Sequence, residues 1–330
     1  ESVMQARKLD LDNRKDRSKF IQFPFKLYKD NPYWVPPIQG DIEFVMNREK
    51  HPFYRHSNAD FLVVESEGEV LGRMAILQNK NYCDFHQQKI AFFYYFDVVD
   101  DLQVSKMLLQ AGVDWAKSHG LDTILGPKGF VRSNGFGILI EGFDKLPALG
   151  IPYNHPYYAT LLTDFGFQYY TDHLSGYLVP SDELPVKMFE AADRIKESGN
   201  FKVLHFTNKS ELVKWIPEID RVHHEAFQNN PDFYPSTHEE FELMAKNIYR
   251  VANPRLIKII LKGDELAGFL LCYPNICPSL QKTNGRLWPF GWITILHELR
   301  TTKRLDLNGV GLLPQYQGRG ANILLYVELE

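Results

Sequence analysis

The chain has only three cysteines in 330 residues, Cys83, Cys272 and Cys277, with no CxxC pair. So odd and sparse a set argues against a disulfide framework and offers no zinc-site spacing, so no metal is expected. Positive charge is not in excess either: 37 Lys and Arg face 41 Asp and Glu, a formal charge of −4. With no Lys/Arg block in the sequence, neither nucleic acid nor an anionic membrane is an expected partner. No uninterrupted apolar run reaches the roughly 20 residues of a membrane-spanning helix. The opening stretch ESVMQARKLDLDNRKDRSKF is polar and contains acids, unlike a signal or transit peptide. Reduced thiols without a targeting signal point to the cytoplasm.

What the sequence does have is aromatic residues, 14% of the chain, enough for aromatic-rich cores or an apolar groove. Its length suits two domains, each with its own core. Phe61–Ser66 and Val70–Leu77 are β-branched and apolar runs around Glu67-Gly68-Glu69, which predicts a hairpin. Ile90–Val99 reads as a long aromatic strand, and Asp100 or Asp101 then caps a helix with Val104, Met107, Leu108, Ala111 and Trp115 at helical spacing. Lys128 to Pro156 reads as loop, with a short helix to Gly166 and a strand over Gln168–Val179.

Val179-Pro-Ser-Asp-Glu-Leu-Pro185 signals a linker, followed by a helix to about Gly199. The second half then repeats the plan. Leu256–Leu261 and Leu266–Tyr273 flank Lys262-Gly263-Asp264-Glu265, a second hairpin, and Arg304–Leu313 is a strand feeding a final helix. Both hairpins close on a glycine, Glu69-Val-Leu-Gly72 and Glu265-Leu-Ala-Gly268. The second half adds an insertion, about 278–300, containing Asn284-Gly-Arg-Leu-Trp-Pro-Phe-Gly-Trp292. The expected division is a first domain over 1–180, linker and helix over 181–200, and a second domain over 201–330.

Chemistry concentrates in Asn308-Gly-Val-Gly-Leu-Leu-Pro-Gln-Tyr-Gln-Gly-Arg-Gly-Ala-Asn322. A strand ends at Pro314, a glycine turn follows, and a helix opens at once, so several backbone N–H groups converge on one spot suited to an anion. Gly318 and Gly320 permit unusual dihedrals and close approach of phosphate oxygens, and Arg319 adds a cation. Neither GxxxxGK[ST] nor the dinucleotide GxGxxG is present.

This segment resembles the Q/R-x-x-G-x-G/A loop of the GNAT-type N-acetyltransferase superfamily, departing from it at Asn322, where the family usually has Gly or Ala. The resemblance implies an α/β architecture of two tandem GNAT-like domains, each a mixed, mostly antiparallel twisted sheet flanked by helices. It assigns Gln317, Gly318, Arg319, Gly320, Ala321 and Asn322 to the pyrophosphate of acetyl-CoA or another acyl-CoA, and Val310, Gly311 and Leu312 to main-chain pairing with the pantetheine arm. In the first half the glycines give way to Phe96-Asp-Val-Val-Asp-Asp101, whose acids would repel a pyrophosphate. The first copy is therefore expected to have lost the cofactor.

The implied activity is transfer of an acyl group to an amine, on a small molecule or peptide. A non-catalytic coenzyme A-binding protein and an aminoacyl or peptidyl transferase are the alternatives. Asp306, two residues from Asn308 and on the same strand face, is a candidate base, with a surface carboxylate as its plain alternative. Glu225, Tyr234 and Trp292 are acceptor candidates; the aromatic-rich insertion is equally explained by packing. The resemblance also implies later strands that the sequence does not reach, so the second domain is expected to continue beyond Glu330. Failing that, a strand from the first domain or a partner chain, such as a second copy in a homodimer, would cover the strand edge.

Overall fold

The computed structural model describes residues 4–179 and 184–329; Pro180–Glu183 of the expected linker lie outside the described residues. The chain divides into two compact units, Glu1–Tyr169 with Ile276–Arg300, and Tyr170–Asn275 with Thr301–Glu330. The first opens with β1 (Gln5–Lys8), α1 (Arg14–Leu27), α2 (Gln39–Met46), the hairpin β2 (Asn58–Ser66) and β3 (Glu69–Gln78), and α3 (Lys80–His86). It continues with β4 (Ile90–Val98), α4 (Leu102–Ser118), β5 (Thr123–Leu125) and α5 (Tyr158–Phe165). The strands lie in the order β1-β2-β3-β4-β5, antiparallel except for the β4–β5 pair.

Local chemistry explains these elements. The β2–β3 turn places Glu67 and Gly68 at φ +52° and +82°, the left-handed pair that a two-residue hairpin demands. In α4 the positions Val104, Leu108, Leu109, Gly112 and Ala116 are buried, one stripe at helical spacing against the sheet. All but Gly112 join Met74, Ile76, Phe93, Phe96 and Tyr158 in one core.

The second unit contains α6 (Val186–Glu197), β6 (Lys202–Leu204), α7 (Lys209–Val213), α8 (Ile216–Phe227), α9 (His238–Val251), and the hairpin β7 (Ile257–Lys262) and β8 (Glu265–Pro274). The sequence insertion then supplies α10 (Cys277–Thr283) and α11 (Gly291–Thr301), nearly all of which belongs to the first unit. There Gln281 donates to the carbonyls of Pro32 and Trp34, and Gln39 N–H to Gly285 O. The chain returns as β9 (Leu305–Leu312) and ends in α12 (Ala321–Val327). This sheet runs β6-β7-β8-β9, wholly antiparallel. One face packs Phe206, Val222, Ile259, Phe269 and Leu313; the other packs Ala192 of α6 and Ala321, Leu324 and Leu325 of α12 against Ile260, Ala267 and Leu270.

The two units repeat one another in detail that composition alone does not carry. In both hairpins the register slips by one residue just before the shared glycine, skipping Leu71 in one and Ala267 in the other. Gly72 then faces Val98, and Gly268 faces Leu312. A Cβ on Gly268 would lie 2.5 Å from the Gly311 carbonyl oxygen, so close approach of β9 requires a glycine there. The architecture expected from the sequence, two α/β units each built on a mostly antiparallel sheet flanked by helices, is the one observed.

One expected strand is not formed. Gln168–Val179 forms no strand; it pairs with no other strand among the described residues and leaves Leu174 96% exposed. Its aromatic and β-branched side chains raised strand propensity, but propensity without a sheet edge to join does not make a strand.

A charge cluster ties β1 to α1 and β2. Arg7 reaches Asp16 at 2.7 Å and Glu65 at 2.8 Å, and Lys19 reaches Glu65 at 2.8 Å. The hydrogen bonds from Arg7 hold both carboxyls below their usual range. Folded values below unfolded ones mean the stabilisation is complete above the ordinary carboxylate range and drains away as pH falls through the folded values. Arg7→Met is therefore expected to flatten the loss of stability on acidification, measured by urea denaturation between neutral pH and about pH 3. An unchanged pH profile would remove the cluster from the acid response.

Candidate functional site

The second unit's edge strand and the loop that follows it form the candidate site. β9 has β8 on one side and no strand on the other among the described residues. Leu313 N–H donates to Ala267 O at 2.9 Å, which fixes the parity of the ladder. Gly309 and Gly311 then form the hydrogen-bonded pairs with β8, while Val310 and Leu312 turn their N–H and C=O groups to the outer edge. The main chain of Gly311 is thus committed to β8. Its missing side chain serves the packing, since a Cβ there would lie 2.8 Å from the Phe269 ring.

Asn308 is an extra residue, inserted between the pairs Leu271–Gly309 and Cys272–Leu307. Such a bulge bends the strand and breaks its alternation. Asp306 and Asn308 therefore do not share a face as simple alternation required: Asp306 is buried and Asn308 exposed. Nor is Asp306 a surface carboxylate, since Asn275 Nδ2 lies 3.0 and 2.9 Å from its two oxygens and donates to them. Burial first, then the Asp306 charge, push the Cys272 thiol up to about 11, so this cysteine is a protonated core residue at neutral pH.

Past β9, Pro314–Tyr316 make one tight 3-10 turn, and Gln317 is extended with its side-chain amide donating to Leu312 O at 3.1 Å. Gly318 and Gly320 follow at φ +71° and +83°, both left-handed, and Ala321 opens α12. Successive backbone N–H groups in such a turn line a concavity that suits anionic oxygens. The space beside Gly318 is open, with nothing within 4 Å of a Cβ built there.

The matching place in the first unit is closed. Val98, the counterpart of Leu312, also turns its main chain outward, but its N–H donates to Tyr158 Oη at 3.1 Å and its carbonyl accepts from Tyr157 Oη at 2.7 Å. Between Val99 and α4 there is no glycine turn. Asp101 accepts from Gln103 N–H at 2.7 Å and Val104 N–H at 3.2 Å, so a carboxylate of the chain itself occupies the first amides of the helix. Asp97 does not project repulsive charge: it is buried against Arg73 at 2.7 Å and accepts from Tyr28 at 3.1 Å. The sequence expectation of electrostatic repulsion thus gives way to physical occupation.

The remaining candidates scatter. Glu225 on α8 pairs with Arg221 at 2.9 Å, and Tyr234 is buried, both in the second unit. Trp292 lies on α11 in the first, where no residue of that helix is buried. His223 stacks on Phe269 while His224 meets Phe233 edge-on, so the two adjacent rings serve different neighbours. Asn154 bonds both the N–H and the carbonyl of Leu139, which makes it a brace for the long loop of the first unit. The closing pair Tyr157 and Tyr158 stands at the start of the short helix expected after the loop, where nothing in the local sequence marks them as partners of Val98.

Two sheets of similar strand order, each with a bulged strand leading into a helix, are the arrangement that the resemblance to tandem GNAT-like proteins led one to expect. No family model matches the sequence. Among curated proteins it is similar to Protein YghO of Escherichia coli strain K12, 26% identical over 308 residues, spanning 90% of this chain and 77% of that protein. The bacterial ceramide synthase of Caulobacter vibrioides is 24% identical over 313 residues, or 92% and 79% of the two chains. Among solved structures, a tandem GNAT protein from the clavulanic acid biosynthesis pathway aligns over 98% of this chain and 83% of its own at 11% identity and TM-score 0.49. A predicted acetyltransferase with acetyl-CoA from Clostridium acetobutylicum aligns over 53% of this chain and 96% of its own, at 11% identity and TM-score 0.33.

Proposed function

We propose that the chain is an acyl-CoA-dependent N-acyltransferase whose cofactor is held by the second unit. The observation that carries this reading is the contrast between equivalent strand ends. Val310 and the N–H of Leu312 present outward main-chain groups that run into a left-handed glycine turn, with the Leu312 carbonyl accepting from Gln317, whereas tyrosines take both groups of Val98 and Asp101 fills the helix entry in the first unit. In this reading the pantetheine amides add to the β9 edge as an extra strand, and the pyrophosphate takes the N–H groups between Gln317 and Asn322.

The chemistry then needs little from side chains. The acceptor's amine attacks the thioester carbonyl, a C–N bond forms, the C–S bond breaks, and the thiol of coenzyme A leaves with the proton that the amine gives up. An outward N–H of β9 is suited to the oxygen that gains charge. Asp306, with both oxygens engaged by Asn275, suits anchoring of the bulge better than taking a proton.

For the acceptor, the name of one relative, a ceramide synthase, recommends an amino-alcohol with a long apolar tail, and a fatty acyl group as donor. The test is isothermal titration of coenzyme A, followed by release of free thiol from acetyl-CoA and palmitoyl-CoA with a panel of amines that includes sphingoid bases. Binding without thiol release from any pair would leave a coenzyme A-binding protein instead of an enzyme; absence of binding would end the reading.

A further inference from the structure

Beside the glycine turn, on the side facing α6, the second unit has a cleft of about 440 Å³. Its walls come from three separate elements: Arg194 and Ile195 on α6, Lys262 at the end of β7, and Arg319 with Gly320 in the turn. Three cations line it and no carboxylate does. A cluster of that kind repels itself, so its free energy improves when an anion enters.

One of the three cations is held in place. Ser198 Oγ donates to Ile195 O at 2.7 Å and accepts from Asn200 Nδ2 at 3.0 Å, and Asn200 Oδ1 accepts from Lys262 Nζ at 2.7 Å. The Phe201 ring lies 5.6 Å from the same ammonium. Lys262 is thereby steadied before any ligand arrives, which lowers the ordering cost of binding. Gly320 completes the fit. A Cβ at that position would come within 2.6 Å of Ile195 Cδ1, so the turn lies directly against α6 and joins the cleft to the concavity of N–H groups.

From this arrangement we infer that the cleft is a phosphomonoester subsite, and that its ligand is the 3′-phosphate on the ribose of coenzyme A. The inference rests on the reading of the glycine turn as the pyrophosphate site. A phosphomonoester carries close to two negative charges and three acceptor oxygens, which matches guanidinium and ammonium donors arriving from different sides. A diphosphate held in the turn leaves the adenosine end to select between nucleotides, and the cleft supplies cations for the one group that separates coenzyme A from its 3′-dephospho form. Arg194 thus acts as a specificity residue contributed by a helix that precedes the sheet.

The test is calorimetric titration of the full chain with coenzyme A, 3′-dephospho-coenzyme A, adenosine 3′,5′-bisphosphate and inorganic phosphate. Coenzyme A is expected to bind roughly ten- to a hundredfold more tightly than the dephospho form, as for loss of charge-assisted hydrogen bonds. Arg194→Ala and Lys262→Ala are expected to erase most of that ratio while leaving the affinity for dephospho-coenzyme A within about twofold. Lys246→Ala, at a cation outside the cleft, should leave the ratio unchanged.

Equal affinity for the two cofactors, or equal loss of both in the variants, would overturn the subsite while leaving the turn intact. Failure of both cofactors to bind would instead overturn the reading of the turn itself. Inorganic phosphate binding as tightly as adenosine 3′,5′-bisphosphate would make the cleft a general phosphate site and overturn its assignment to coenzyme A.

Discussion

Arg73→Ala is expected to lower the melting temperature of the first unit by roughly 6 to 20 °C, the largest effect of any single substitution considered. The guanidinium is 3% exposed, lies 2.7 Å from Asp97, donates to Phe20 O at 2.6 Å and sits over the Phe20 ring at 4.7 Å. Removing it leaves Asp97 buried without its counter-ion, a loss of about 3–5 kcal/mol. At the entropies of domains this size, that corresponds to the stated shift. The damage should spread, because Asp97 also accepts from Tyr28, whose hydroxyl lies 2.8 Å from that of Tyr158.

The double variant Arg73→Met with Asp97→Leu removes both charges and is expected to recover part of the loss. Calorimetry of the wild type, both single variants and the double variant measures this. A drop of less than about 1 kcal/mol for Arg73→Ala would mean the pair contributes little.

The second large effect concerns the turn. Gly318→Val is expected to weaken coenzyme A binding at least a hundredfold while moving the melting temperature by only a few degrees. At φ +71° a β-branched residue is strained, and the turn relieves that strain by rotating its peptide units. Rotation redirects the N–H groups that would meet phosphate. Space is not the issue, because a Cβ at this position meets nothing within 4 Å.

Gly318→Asn provides the control, since asparagine tolerates the left-handed region and should retain most of the affinity. Asp100→Ala in the first unit should change nothing. Calorimetric titration of the three variants decides it; comparable loss in Gly318→Val and Asp100→Ala would contradict the assignment to the second unit.

Much of this was legible in the sequence, and the reasons are specific. The two hairpin turns are written in local residues, Glu67-Gly68 and Gly263-Asp264, so β2, β3, β7 and β8 fall within a few residues of expectation. The glycine turn is equally local. By contrast, the bulge at Asn308 depends on the register with β8, and no single strand reports its partner's slip. That non-local detail reversed the reading of which residues share a face with Asp306.

The destination of the insertion was likewise hidden. α10 joins the first unit through contacts such as Gln281 with Pro32 and Trp34, hundreds of positions away in the chain. The closure of the first unit's strand edge was invisible for the same reason. Asp101 was legible as a helix cap, yet only the folded chain brings Tyr157 and Tyr158 to Val98.

Those two tyrosines have a thermodynamic consequence. At Val98 the first unit satisfies its outward strand groups with its own hydroxyls, so on the same reading its folded state draws nothing from a coenzyme. The second unit satisfies the Leu312 carbonyl through Gln317 and, on the proposed reading, leaves the Leu312 N–H and the outward groups of Val310 to be completed by the molecule that it binds. Mass action then links only one of the two melting processes to the metabolite pool, by about 2.7 kcal/mol when the ligand stands at a hundred times its dissociation constant. The tandem would have one half of fixed stability, with the stability of the other half following the supply of coenzyme A.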